Sequence, residues 1–196
     1  MITFDFGQGP VPAHQHKNPF GPEGGWVANT ATVAATAYLG VHARVSGNAQ
    51  VSGDAWVSGD AWVFGNAWVS GNAKVSGDAL VSGNARVFGN ALVSGNARVC
   101  GKAQVFGNAN VSGNAKVFSC QDILFGLSGS HNWTAYRLED DTVFLQYGCE
   151  SHQLKEWETL HESLSMKHTQ DINNAAITRA ICQLVEIQLL KNRLLT

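Results

Sequence analysis

The sequence predicts a mainly β protein, in which about five three-sided coils of short parallel strands stack into a column. Two periodic observations predict this fold. Val occupies every sixth position from Val45 to Val117, and Gly recurs with the same period from Gly47 to Gly113. Asn or Asp follows each of these Gly residues except at Lys102. The unit is V-x-G-[ND]-A-x, and its phase extends back through Leu39 and Val33 to Val27, which gives fifteen hexads over residues 27–116. Self-similarity at a fixed period is the signature of a repeat architecture.

The six-residue period explains how each coil is built. It fits neither the α-helical repeat nor a meander of hairpins, but it fits three short strands joined by three tight corners. β-branched Val fills the interior from the middle of each strand, and Ala is small enough for the inward position beside a corner. Gly has no Cβ, and Asn or Asp tolerates the left-handed region, so this pair makes the bend. Fifteen hexads make five coils, about 24 Å tall at the usual strand spacing.

The N-terminal segment, residues 1–26, holds all four Pro residues and shows no periodicity. It reads as an extended cap that covers or crosses the first coil. His14 and His16 are weak candidates for a metal site, because the H-x-H spacing can place two imidazoles on one side of an extended strand. No third ligand lies near them in the sequence, and the alternative is a solvated pair.

The repeat itself covers residues 27–118, and the Gly-Asn corners stop after it. Residues 119–196 are predicted to form a small α+β cap, with a β-hairpin and two helices, that plugs the open end of the column. The predicted hairpin strands are Asn132–Leu138 and Thr142–Gly148. Ser151 is expected to cap the first helix, and the second runs from about Asp171 to Arg193.

The outward side chains of the repeat form columns, because every third strand lies on the same side. The first face carries Arg44, Trp62, Phe64, Leu80 and Arg98, the second carries Trp68, Arg86, Phe88 and Phe106, and the third carries Tyr38, Trp56 and Lys74. Contiguous apolar side chains on two faces favour an interface, and we expect a homotrimer around a threefold axis. The alternative is that the C-terminal segment folds back over one face.

Two further roles are considered for these outward residues. Trp56, Trp62 and Trp68 ring a single coil, one on each face, so interface packing is favoured over an aromatic ligand cage. Small anionic ligands could bind between subunits near Arg44, Lys74, Arg86 or Arg98. The partner is then either a host protein or a small anionic signal.

Composition excludes several other classes of protein. Charged residues make up only 14% of the chain and the net charge is −2, which gives no electrostatic case for general nucleic-acid or membrane binding. No run of about 18 apolar residues suggests a membrane span. The four Cys residues are scattered without a C-x-x-C pair, as expected for reduced thiols in a cytoplasmic protein.

The hexad resembles that of the hexapeptide-repeat family, over nearly half of the chain. This resemblance implies a left-handed parallel β-helix of triangular section and a homotrimer. The best-known members are acyltransferases, with a catalytic His and a long loop that interrupts the repeat. Here no insertion interrupts ninety residues, and His42 is the only His of the repeat. We therefore expect no enzyme activity and no cofactor, with an acetyl-CoA-dependent acyltransferase as the alternative.

Shorter motifs outside the repeat carry a looser resemblance. Gly9–His14, Gly24–Val27 and Tyr147–Cys149 are similar to segments of uncharacterised hexapeptide-repeat proteins from bacterial and prophage genomes. This resemblance implies a phage or prophage setting. The function expected from the sequence is a non-catalytic, trimeric interaction protein that inhibits a component of bacterial defence.

Overall fold

The computed structural model describes residues 2–118, 123–128, 131–137, 142–147, 150–157, 159–160, 181–183 and 185. The chain divides into two compact units, Met1–Cys120 and Gln121–Thr196, and each is described by itself. No helix in the described residues is long and apolar enough to cross a membrane.

The first unit begins with three longer strands, followed by fifteen strands of two residues each. The longer strands are β1 (Thr3–Asp5), β2 (Pro10–Lys17) and β3 (Glu23–Ala28). The short strands are β4 (Thr32–Val33), β5 (Tyr38–Leu39), β6 (Arg44–Val45), β7 (Gln50–Val51), β8 (Trp56–Val57), β9 (Trp62–Val63), β10 (Trp68–Val69), β11 (Lys74–Val75), β12 (Leu80–Val81), β13 (Arg86–Val87), β14 (Leu92–Val93), β15 (Arg98–Val99), β16 (Gln104–Val105), β17 (Asn110–Val111) and β18 (Lys116–Val117).

These strands form three sheets in which the short strands are parallel, because each short strand pairs with the strand three places further along. The first sheet has the order β1-β2-β3-β6-β9-β12-β15-β18, the second β4-β7-β10-β13-β16 and the third β5-β8-β11-β14-β17. Val45 lies opposite Val63, and Val69 opposite Val87, so the register advances by one coil at each pairing. The predicted mainly β stack of about five three-sided coils is confirmed. Its left-handed sense stays a prediction.

The interior consists of the predicted Val and Ala rows. Every repeat Val from Val45 to Val117 and every repeat Ala from Ala43 to Ala115 is at most 1% exposed. The corner Gly residues have φ between 64° and 74° from Gly47 to Gly113, the left-handed conformation that Gly adopts without strain. Amide side chains of corner Asn residues in successive coils also join, as from Asn48 to Asn66.

The N-terminal segment covers two of the three strand edges at the start of the stack. Strand β2 pairs antiparallel with β3 and so extends the first sheet. Asn18 covers the edge of β5: its Nδ2 donates to the Leu39 carbonyl over 3.0 Å, and its Oδ1 accepts from the Leu39 N–H over 2.8 Å. A single side-chain amide thus replaces the peptide group of a missing neighbouring strand.

The second unit contains a four-stranded antiparallel sheet of order β19-β20-β21-β22. Its strands are β19 (Ile123–Ser128), β20 (His131–Arg137), β21 (Val143–Tyr147) and β22 (Glu150–Gln153). Trp157 is 2% exposed, and its Nε1–H donates to the Leu145 carbonyl over 2.6 Å. The predicted hairpin corresponds to β20 and β21, whereas β19 and β22 were not predicted.

The first predicted helix begins later than the sequence suggested. Ser151 lies within β22, opposite Gln146, and helical residues begin at Leu154. The Gln153 N–H instead donates to Glu156 Oε2 over 3.0 Å, which places the helix start at the end of the strand. Of the second helix, residues 181–183 and 185 are helical, and the rest of its predicted range lies outside the described residues. The plugging of the column by this unit stays a prediction.

Substitution of a corner Gly tests the close approach of the coils. A Cβ at Gly59 would lie 2.8 Å from the Gly77 carbonyl oxygen of the next coil, whereas a Cβ at Gly113 would meet nothing within 4 Å. Both residues have a φ of 65°. We expect Gly113→Ala to cost about 1–2 kcal/mol of unfolding free energy through backbone strain alone. Gly59→Ala should cost clearly more in urea unfolding, and equal losses would contradict the close packing of the corners.

A second substitution tests whether Asn18 stabilises the edge of β5. Asn18→Ala leaves the Leu39 N–H and carbonyl without their partner and should lower the free energy of unfolding by about 1–3 kcal/mol. The matched control is Asn48→Ala on an exposed corner, expected within about 0.5 kcal/mol of the unsubstituted chain. Urea titrations of both variants give the comparison. An unchanged free energy of unfolding in Asn18→Ala would show that Asn18 does not stabilise the edge of β5.

Candidate functional site

The outward side chains of the first sheet form a stacked column centred on Trp62. The Arg44 guanidinium lies over the Trp62 ring, 4.9 Å from its centroid, and the Phe64 ring stacks at 4.2 Å. The Trp62 Nε1–H donates to Ser46 Oγ over 2.9 Å. Trp62 is therefore held by contacts on its ring face and at its Nε1–H.

The N-terminal segment packs against the same face. The Phe4 ring stacks on Trp26 at 4.8 Å and meets Phe6 edge-on at 4.9 Å. Phe6 is only 5% exposed and belongs to a small apolar cluster that Phe4, Trp26 and Trp62 border. The part of the first face around Trp62 therefore belongs partly to the protein's own packing.

The second sheet carries two exposed predicted interface residues, Trp68 and Phe106, together with one cation. Trp68 is 40% exposed, its Nε1–H donates to Ser52 Oγ over 3.3 Å, and the Arg86 guanidinium lies 5.5 Å from its ring centroid. Phe88 and Phe106 stack below them in nearly parallel planes, with centroids 5.1 Å apart. This face therefore carries a Trp68–Arg86 contact and, at the other outward position of its strands, a Phe88–Phe106 stack.

The third sheet carries a shorter ladder. The Tyr38 and Trp56 rings stack with their centroids 3.8 Å apart, and Trp56 is 43% exposed. Lys74 is the next residue in register after Trp56. Trp56, Trp62 and Trp68 lie on three different sheets, as the sequence predicted, so they do not form a cage within one chain.

The four candidate anion-binding residues are likewise distributed over all three sheets. Arg44 and Arg98 lie on the first sheet, Arg86 on the second and Lys74 on the third. Leu80 separates Arg98 from Trp62 in register. A single chain therefore brings no two of these cations together at neighbouring positions of one column.

The two His residues of the N-terminal segment point to different partners. His14 is exposed, and its Nδ1 lies 3.0 Å from Asn29 Oδ1, whereas His16 is 5% exposed and its Nε2 lies 3.0 Å from the Ala37 carbonyl oxygen. A β-bulge between Gln15 and Lys17 breaks the regular alternation of β2. Among the described residues, no three His, Cys, Asp or Glu side chains are grouped to hold a metal ion.

The sequence reasoning missed Phe4 and Phe6 as part of the first face. The alternation Thr3-Phe4-Asp5-Phe6 was a visible strand signal, because apolar residues at every second position indicate a half-buried strand. It also missed that Ser46 and Ser52 each accept a hydrogen bond from a Trp sixteen residues later.

A protein-family model described as the YdcK Beta solenoid repeat matches residues 43–59, 49–65 and 85–101. The matched stretches span β6 to β9 and β13 to β15 of the three parallel sheets. The chain is a repeat β-solenoid protein. The solenoid match confirms the predicted resemblance to a repeat β-helix family, whereas the prophage resemblance stays a prediction. No curated protein and no solved structure matches the chain.

A pair of Trp substitutions separates packing from surface exposure on the solenoid. Trp62 contacts Arg44, Ser46, Phe64 and the N-terminal cluster, so Trp62→Ala should cost about 2–3 kcal/mol of unfolding free energy. Trp56→Ala removes chiefly one ring stack and should cost about 1 kcal/mol. Denaturant unfolding of both variants measures the difference, and equal costs would contradict the docking of the N-terminal segment on Trp62.

Proposed function

We propose that this solenoid is a non-catalytic interaction protein that assembles as a homotrimer and binds a partner through its outer faces. The supporting observation is the second face, where Trp68 remains 40% exposed beside Arg86 and the rings of Phe88 and Phe106 stack on each other. The interior of the solenoid is filled by Val and Ala, so these rings are not needed for its core. Exposed aromatic side chains beside an Arg are the residues that dominate binding energy at interfaces.

The second face is the better candidate for the contact between subunits. The first face already packs against Phe4 and Phe6 near Trp62. The outward positions of the second face are Thr32, Ala34, Gln50, Ser52, Trp68, Ser70, Arg86, Phe88, Gln104 and Phe106, and none of them is acidic. This surface combines three aromatic rings with one positive charge and no negative charge.

The complementary charges lie along the borders of the third face. Asp54 occupies the corner between the second and third sheets, and Asp60 and Asp78 occupy corners between the third and first sheets. The second face of one subunit can therefore pack against the third-face border of its neighbour, with Arg86 beside a carboxylate. Such a contact uses two different surfaces and closes around a threefold axis.

A non-catalytic role is supported by the uniform repeat. His42 lies exposed at the corner after β5, and the repeat continues past it without an insertion that would build a substrate site. A general base needs a placed acceptor and a partner that orients it. The partner of the trimer is a host protein or a small anionic signal held between subunits. The phage origin of this protein, its cytoplasmic location and its inhibition of bacterial defence stay predictions.

Multi-angle light scattering of matched variants tests the trimer. The unsubstituted chain should have three times its mass of 20.9 kDa, and Trp68→Glu should reduce it to the monomer without loss of the β circular-dichroism spectrum. Phe20→Glu is the control, since Phe20 is also exposed but lies between β2 and β3, outside the second and third faces. A monomeric unsubstituted chain would overturn the trimer. Turnover of acetyl-CoA that depends on His42 would overturn the non-catalytic role.

A further inference from the structure

The first coil of the solenoid consists of β3, β4 and β5. Each of these strands has an upper edge, the edge that faces away from the next coil, and the three edges differ in what covers them. Strand β3 is covered by β2, and β5 is covered by the side chains of His16 and Asn18. Strand β4 is the terminal strand of the second sheet. No hydrogen bond from another described residue reaches its outer edge.

The covered edge of β5 shows which groups such an edge presents. The N–H groups of Tyr38 and Gly40 donate to Ala55 and Val57 of the next coil. Leu39, between them, directs its N–H and carbonyl the other way, where both bond to Asn18. The Ala37 carbonyl points in the same direction and accepts from His16. One N–H and two carbonyls therefore mark the upper edge.

Strand β4 presents the same three groups without the cap. The N–H groups of Thr32 and Ala34 donate to Ala49 and Val51 of the next coil. By the alternation of a parallel ladder, the N–H and carbonyl of Val33 and the carbonyl of Ala31 point away from that coil. Val33 is only half-buried, whereas Val27 and Leu39, which begin the other two Val rows, are fully buried.

We propose that the edge of β4 binds an extended peptide segment of a partner protein by strand addition. The pairing of β4 with β7 gives the geometry. Two N–H groups of the peptide donate to the carbonyls of Ala31 and Val33, and the Val33 N–H donates to the peptide carbonyl between them. The central side chain of the peptide covers Val33, and a β-branched residue fits there as Val33 fits over Val51.

The surroundings of the edge favour a single extended segment over a second solenoid. Strand β2 and the side chains of His16 and Asn18 already occupy the layer above the first coil on its other two sides. An extended peptide fills the remaining third side of that layer. The cap and first coil also hold four of the eight large apolar side chains that are exposed in the described residues: Ile2, Val11, Phe20 and Val41.

This inference rests on the proposed function, since it names the kind of partner that an interaction protein would bind. It uses the end of the solenoid, whereas the trimer contact uses its sides. A protein that is trimeric by light scattering but does not bind peptide at Val33 would refute strand addition alone.

Amide NMR of the full-length chain tests the proposal with a defined probe. The probe is acetyl-Ala-Gln-Val-Ser-Gly-Asn-amide, which follows the hexad pattern of the chain. Its control is the same peptide with N-methyl groups on Gln and Ser, the two residues whose N–H groups would donate. We expect the probe to shift the Val33 amide resonance and to slow its hydrogen exchange, with binding at least about tenfold weaker for the methylated peptide.

A substitution in the protein tests the Val33 N–H, the donor that the protein contributes to the proposed pairing. Val33→Pro removes the N–H that points away from the sheet, a position where an edge strand tolerates Pro. It should weaken probe binding by about tenfold, whereas Val33→Ile should retain it. If Val33→Pro unfolds the protein, the comparison of the probe with its N-methylated control tests the proposal without this variant. Equal binding of both peptides, or an unchanged Val33 amide, overturns the proposal. A Val33 shift on protein dilution without peptide assigns the edge to a second copy and also overturns it.

Discussion

The structure depends on one constraint, the in-register stacking of successive coils. At most corners from Gly47 to Gly95, the backbone of one Gly lies where a Cβ of the Gly in the preceding coil would have to be. At Gly59 that imagined Cβ lies 2.8 Å from the carbonyl oxygen of Gly77. The corners therefore come close enough for the N–H of Asn48 to donate to the carbonyl of Gly65 in the coil below. A side chain at such a Gly would push against the backbone of the next coil and disturb the ladders on either side of that corner.

The same register determines the outer surface of the solenoid. Because equivalent positions are superposed at every coil, any outward side chain lies directly above or below another of the same column. The stacks of Tyr38 on Trp56 and of Phe88 on Phe106 follow from this superposition. The fold requires Val, Gly and Ala at fixed places but leaves two outward positions per strand unrestricted. The binding function proposed for the sides of this protein would therefore be encoded in those two positions.

The sequence predicted the features that the repeat imposes and missed those that depend on contacts between distant segments. The buried rows of Val and Ala could be predicted because the same residue type recurs at the same position of successive hexads. The packing of Phe6 near Trp62 was not, since it joins residues far apart in the chain and occurs once. The bulge at Gln15–Lys17, which separates the environments of His14 and His16, is also a single local event. Ser151 was predicted to cap a helix, but its pairing with Gln146 extends the sheet instead.

The end of a solenoid raises a problem that its repeat cannot solve. Each coil satisfies the strand edges of its neighbour, so the first coil exposes three edges to which any extended chain can add. Here the first edge is covered by a strand and the third by Asn18 and His16. Covering an edge with two side chains shows that a full capping strand is not needed to protect it. Among the described residues, nothing covers the edge of β4. A segment as short as the one that carries His16 and Asn18 would be enough to cover it. Because β2, His16 and Asn18 already cover the two neighbouring edges, the site proposed at β4 admits a single extended backbone, and this is the argument for a peptide partner there.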